Sequence, residues 1–357
     1  MAKTHLISAA VVTAFVATAL SLAACGGGYG SKGGGGYSSS SSVPGAAYKS
    51  RDLAADQAAP GVNVDANLQN AWGIAITPTG VVMVTDNAID KATTYNDVGT
   101  VQSGGLPVPG LPTGVVYNNT TAFSWTVAGV NDRTVFIFAT DTGKLSVLPS
   151  TVGVPAAVQV FDGSAGGADY KGLTAVTGTV NALYATDFHN QRIDVFDAAF
   201  NRVALPGKFT DGAIPADFAP FNVQALNGQL YVTYARKAAA ANTEVAGAGL
   251  GYVDVFDTGG TLLKRLVSGG ALNAPFGLAL APANFGPFSN ALLVGNAGDG
   301  KINAYDVSTG AMLGTVSKID GAPVVIPGLH GIAFNTNILF YAAGTGAHGV
   351  YGRIDLY

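Results

Sequence analysis

Leu183-Tyr184-Ala185-Thr186-Asp187-Phe188-His189-Asn190-Gln191-Arg192-Ile193-Asp194-Val195-Phe196-Asp197 reads as two strands joined by a polar corner. Leu183–Ala185 is a short unbroken apolar run, as expected of a strand buried on both faces. Arg192–Phe196 alternates with period two, the mark of a strand with one buried face. Asp187, His189 and Asn190 fall between them, and Asp and Asn close corners by bonding to nearby backbone N–H groups. Just upstream, Gly172-Leu173-Thr174-Ala175 supplies a further short strand opened by glycine.

The same three segments recur along the chain. The glycine-opened strand returns as Trp72-Gly73-Ile74-Ala75, Thr113-Gly114-Val115-Val116, Phe221-Asn222-Val223-Gln224, Phe276-Gly277-Leu278-Ala279 and His330-Gly331-Ile332-Ala333. Counted at the second position, the steps are 41, 58, 50, 55 and 54 residues. The apolar strand with a polar end returns at Val81–Asp86, Leu230–Tyr234, Leu292–Asn296 and Leu339–Ala343, with Phe136–Ala139 filling that place in the second unit. The alternating strand returns at Tyr252–Asp257, Lys301–Asp306 and Gly352–Tyr357. Six units of this kind predict an all-β, six-bladed propeller, a ring that leaves few sheet edges exposed. A β-sandwich with a second β domain does not account for the regular steps. The sixth unit stops on its third strand, so Tyr48–Ala54 is expected to supply the outer strand and close the ring.

Composition agrees. Of 22 acidic residues all but Glu244 are aspartate, which favours turns over helices. Charged residues are 11% of the 357, and 48% are hydrophobic, which excludes a chain disordered throughout. Lys and Arg total 18 and the net charge is −4, so the composition does not suit nucleic-acid binding. Residues 1–24 read as an export signal, with Lys3 ahead of the uncharged run Leu6–Ala24. Leu22-Ala23-Ala24-Cys25 resembles the bacterial lipobox, and Cys25 is the chain's one cysteine. Lipid on Cys25 would hold the protein at a membrane without a spanning helix. Gly26 follows where an inner-membrane retention signal would have Asp, so the outer membrane of a Gram-negative cell is the expected address. Residues 25–46 form a Gly/Ser-rich tether with a reach of roughly 25 Å. Residues 47–357 remain as a single propeller domain, expected to be monomeric.

Residues Leu183–Asp197 resemble the NHL repeat, in which an apolar strand, an Asp corner, an Asn-Arg-Ile run and an aromatic-Asp end follow one another. The wider chain resembles an uncharacterised family of exported bacterial propellers, through Asn67–Gly73, Phe136–Thr140, Ala185–Asn190, Ala219–Gln224 and Asn296–Gly300. The likeness implies the fold and an exported location, and no reaction. In NHL-like propellers the loops leading into the inner strand and the second-to-third-strand corners share one face. That implies a common candidate ligand-binding face for Trp72, Asp86, Asn87, Lys171, Asp187, His189, Asn190, Asn222, Asn296, Asp299 and His330. The Asp and Asn residues serve equally well as hairpin closers, and both readings stay open.

The motifs of catalysis are weak. G-x-S-x-G and H-E-x-x-H do not occur, and Cys25 is the candidate lipidation site. Gly28–Gly33 and Gly344–Gly349 match G-x-G-x-x-G without the strand-to-helix setting that anion binding needs. No cofactor is expected; an oxygen-rich site at the axis would suit Ca2+. Gluconolactonase-like propellers hold calcium there with a Glu, Asn residues and an Asp, whereas Glu244 lies in the insertion Ala235–Gly251. Arg236–Glu244 is expected to form a short helix, with the insertion as a candidate cover for the channel mouth. The leading expectation is a membrane-tethered binding or scaffold module for a protein or polysaccharide; the alternative is a calcium-dependent lactonase- or esterase-like hydrolase acting at the axis.

Overall fold

The computed structural model describes residues 47–239 and 242–357. Cys25 and the segments expected to be the signal and the tether lie outside them. The described residues form six antiparallel sheets in a ring, a six-bladed β-propeller. Each inner strand packs against the inner strands on either side, and the last meets the first. The inner strands are Ala71–Ile76, Pro112–Tyr117, Tyr170–Val176, Phe218–Leu226, Pro275–Leu280 and Leu329–Asn335. Blade 3 shows the common plan: Tyr170–Val176, Ala182–Asp187, Arg192–Phe196 and Arg202–Val203, from axis to rim. Blade 2 departs from it. Its second strand runs Val130–Thr140, and Ser124–Val127 folds onto the start of that strand, which explains the long step of 58.

The ring closes as the repeat predicts. Tyr48–Ala55 lies antiparallel on His348–Leu356, with Tyr48 opposite Leu356 and Ala55 opposite Val350. Asn63–Val64 adds a short parallel fifth strand. The closing strand is held by side chains too. Tyr48 donates its hydroxyl to the Phe285 carbonyl at 2.8 Å and stacks on Phe288, Tyr341 donates to Asp52 at 2.5 Å, and Arg51 pairs with Asp355 at 2.8 Å.

The glycine that opens each unit has a steric reason. A Cβ on Gly73 would lie 2.3 Å from the Thr113 carbonyl oxygen, and one on Gly331 would lie 2.6 Å from that of Trp72. Inner strands approach too closely there for any side chain at those positions. Threonines of the second strand bind this joint from behind. Thr85 accepts the Gly73 N–H at 2.7 Å and donates to the Thr113 carbonyl at 2.8 Å, so one hydroxyl links two blades. Thr186 does the same for Gly172 and Phe221. In blade 4 Asn222 replaces the glycine and donates its side-chain N–H to the Phe276 carbonyl at 2.8 Å.

The helix expected over Arg236–Glu244 is not present in the described part of that segment. Lys237 and Glu244 form an antiparallel bridge, and the Val245 N–H bonds to the Arg236 carbonyl. Helix propensity in the alanine-rich stretch gives way to pairing that continues the preceding hairpin. The insertion is pinned at both ends: Lys237 donates to the His189 carbonyl at 2.8 Å, and the Gly247 N–H to Asn273 Oδ1 at 2.7 Å.

Candidate functional site

The residue before each glycine, or before Asn222, lies near the start of its inner strand. The six are Trp72, Thr113, Lys171, Phe221, Phe276 and His330, one from each blade. All are buried, and they converge into a plug at one end of the axis. Trp72 stacks on His330 with ring centroids 3.9 Å apart and meets Phe276 and Phe221 edge-on at 5.4 and 6.1 Å. Phe188 packs behind Phe221 at 5.2 Å. The Lys171 ammonium lies 5.5 Å over the Trp72 ring, a cation–π distance. Thr113 donates to the Tyr170 carbonyl at 2.6 Å.

A polar chain crosses the rim beside this plug. Asn70 donates to Asn87 at 3.0 Å, Asn87 to Asp141 at 3.0 Å, and Lys171 to Asp141 at 2.7 Å. Asp169 completes it, 3.1 Å from the Lys171 nitrogen. Blades 1, 2 and 3 are joined by this chain. Burial pushes the Asp169 carboxyl up to about 7, Lys171 pulls it back and Asp141 pushes it further. Burial opposes the charge on Lys171, yet Asp141 and Asp169 together raise its pKa. Burial lowers His330 to about 4; its bond with the Ala71 carbonyl opposes this and Lys171 reinforces it. His330 is therefore neutral at pH 7.

The remaining sequence-derived candidates occupy four settings. Asp187, Asn190, Asn296 and Asp299 close their own corners. Asp187 accepts the Asp169 and Asn190 backbone N–H groups at 3.1 and 3.2 Å. Asn296 donates to the Ala271 carbonyl and accepts the Asn273 N–H, and Asp299 accepts from Asn296 and the Lys301 N–H. Asp86 is not at the surface of the rim, because its carboxyl is sealed near Asp65, Lys91 and Thr93, and burial drives its pKa well up. His189 is exposed, with Nδ1 2.9 Å from Asn242 Oδ1. Asn222 lies at the axis below the plug.

Asp141 and Asp169 were not singled out by the motif. Asp141 follows the end of its second strand, one residue past the strand-end position of Asp86 and Asp187, and Asp169 precedes an inner strand. The signal that could find them is Lys171 itself, since a lysine in a ring of otherwise aromatic, threonine and histidine side chains requires a carboxylate partner.

The carboxylates nearest the plug are thus engaged by Lys171, and Glu244 sits in the Lys237 bridge of the insertion. Among the described residues no three His, Cys, Asp or Glu side chains come together as metal ligands. Below the plug the axis narrows to a space of about 30 Å³ and then widens into a cavity of about 370 Å³ open at the far face.

No family model matches the chain. An uncharacterised protein of Acanthamoeba polyphaga mimivirus is 32% identical over 312 residues, spanning 83% of this chain and 76% of that one. A second from the same virus is 31% identical over 300 residues, spanning 81% and 79%. These relatives are viral, so they do not carry the bacterial origin read from the lipobox. Among solved structures, a streptogramin B lyase superposes with a TM-score of 0.53 at 13% identity, over 87% of this chain and 98% of that one. Virginiamycin B lyase from Staphylococcus aureus gives 0.51 at 13% identity, over 87% and 100%. At that identity the likeness is one of fold.

Proposed function

This chain belongs to the family of the two mimivirus proteins, and from that premise we propose that it is an exported binding module, anchored through lipid on Cys25, that presents its plugged face to a protein or polysaccharide partner. One observation carries the reading. The described chain starts at the face opposite the plug: Tyr48 packs on Phe285 and Phe288, in the hairpin between the first and second strands of blade 5. The second-to-third-strand corners lie on the other face, at the plugged end. At those corners the axis is filled by the buried cluster of Trp72, Phe221, Phe276 and His330, so this face is closed at its centre. Such a surface suits a macromolecule, while a small substrate favours a concave site. The lipobox and the Gly/Ser-rich residues 26–46 support the anchor, and a bacterial envelope, with the outer membrane in a Gram-negative cell, is the location we propose.

The test has two parts. Metabolic labelling with an alkyne fatty acid should mark the protein and leave Cys25→Ser unmarked and released from the membrane fraction. A photo-crosslinker at His189, in its native cells, should trap a partner that one at Asn337 on the opposite face does not. Equal labelling of Cys25→Ser would remove the anchor, and crosslinks from Asn337 alone would reverse the presented face.

A further inference from the structure

The end of the axis away from the plug is a second, unassigned site, and we propose that it binds a neutral sugar-sized polyhydroxyl molecule. Three features give that chemistry. The first is shape. The cavity of about 370 Å³ is blind, closed above by the neck at Asn222 and Phe276, and its size is within the range of small-molecule sites.

The second is hydrogen bonding. Every inner strand is the end strand of its sheet, so one edge faces the axis without a neighbouring strand. Along such an edge every other residue turns its N–H and C=O outward, here towards the cavity. Six edges thus present donors and acceptors around one small space. Thr174 takes the Ala225 N–H at 3.1 Å, and the half-buried Gln224 side chain, which makes no hydrogen bond to any described residue, adds a free amide with two donors and an acceptor.

The third is charge. No acidic or basic side chain lines the cavity, so an ionic ligand would lose its hydration without compensation. Ile76, Tyr117, Leu280 and Phe334 surround the wide end and can pack on the C–H faces of a sugar ring while its hydroxyls reach the strand edges. The combination suits a molecule with polar edges and apolar faces better than a hydrocarbon, which would leave the backbone groups unpaired. This site is independent of the partner face proposed above, and either can fail alone.

The test is saturation-transfer NMR and calorimetric titration of the full chain with glucose and maltose, with gluconate and glucosamine as charged counterparts. The neutral sugars should bind with millimolar or tighter affinity and the charged ones more weakly. Gln224→Leu should weaken maltose about tenfold at an unchanged melting temperature. Should that variant fail to fold, Ile76→Trp, which narrows the wide end, should abolish binding. The proposal is overturned if neither neutral sugar binds, if gluconate or glucosamine binds as well as glucose, or if binding survives both substitutions.

Discussion

The two ends of the axis are built from the same six strands, yet one is solid and the other hollow. At the plugged end each strand contributes the residue before the tight joint, and five of those six side chains are large. A few residues later the axis is open, and the space is left to strand edges and half-buried side chains. The difference lies in side-chain choice at one repeat position, since every strand bulges at that joint. The plug also carries charge and the hollow end carries none, so the two ends should respond differently to mutation and to pH.

The largest effect is expected at the plug. Trp72→Ala leaves a void against His330, Phe221 and Phe276 and should cost about 3–5 kcal/mol in urea unfolding, whereas Gln224→Ala in the open cavity should change stability by less than about 1 kcal/mol. Equal costs would mean that the hollow end is collapsed in solution. Next comes the joint itself. Gly73→Val drives a side chain into the Thr113 carbonyl, and a loss of about 3 kcal/mol is expected by the same measurement.

Lys171→Met should cost more at pH 8 than at pH 5. Without the ammonium, the buried Asp169 can be accommodated by protonation at low pH but stays as an uncompensated charge at high pH. A pH-independent cost would show that the ammonium is needed only for packing on Trp72. In the native protein, Asp169 and Asp254, the latter on the third strand of blade 4 beside Arg265 and Asp211, are both raised to about 7, mainly by burial, so folding binds protons between about pH 4 and 7. Their stabilisation is therefore full below pH 4 and is lost as the pH rises through 7. His330, lowered to about 4, acts with the opposite sign: it favours the folded state above pH 6.5 and loses that as pH falls through 4. The melting temperature should fall from pH 6.5 to pH 7.5, where the acids act alone, and Asp254→Asn should flatten that slope. The smallest effect concerns metal. EDTA should shift the melting temperature by less than about 1 °C, and a drop of several degrees would instead favour the axial calcium of the hydrolase alternative.

Much of this could be read from residues alone, for a physical reason. Strand alternation, Asp corners and the glycine joint are local, and six copies make a weak local pattern strong. Even the closing strand follows from the missing outer strand of the last unit. The depth of side chains at the axis does not follow. Trp72, Lys171 and His330 are adjacent to the joint in sequence, but that their side chains meet across the axis is a property of the assembled ring, which brings together residues from different blades. Asp141 escapes notice because the group that explains it, Lys171, is 30 residues away and in another blade, and Asp169, although close to Lys171 in sequence, lies before the inner strand and off the corner pattern. At Arg236–Glu244 local propensity points to helix, while the flanking strands, already paired, impose a bridge.

Ring closure has a consequence for how the chain acquires its shape. Arg51 and Asp355, which face each other across the last joint, are 304 positions apart. During synthesis the first strand must wait, unpaired, until almost the whole polypeptide has emerged. Contacts of such sequence separation form slowly, and an exposed strand edge invites pairing with a neighbouring molecule in the interval. The seal that stabilises the finished ring is thus also its slowest and most aggregation-prone moment, and chaperones acting on the nascent protein would have their greatest effect there.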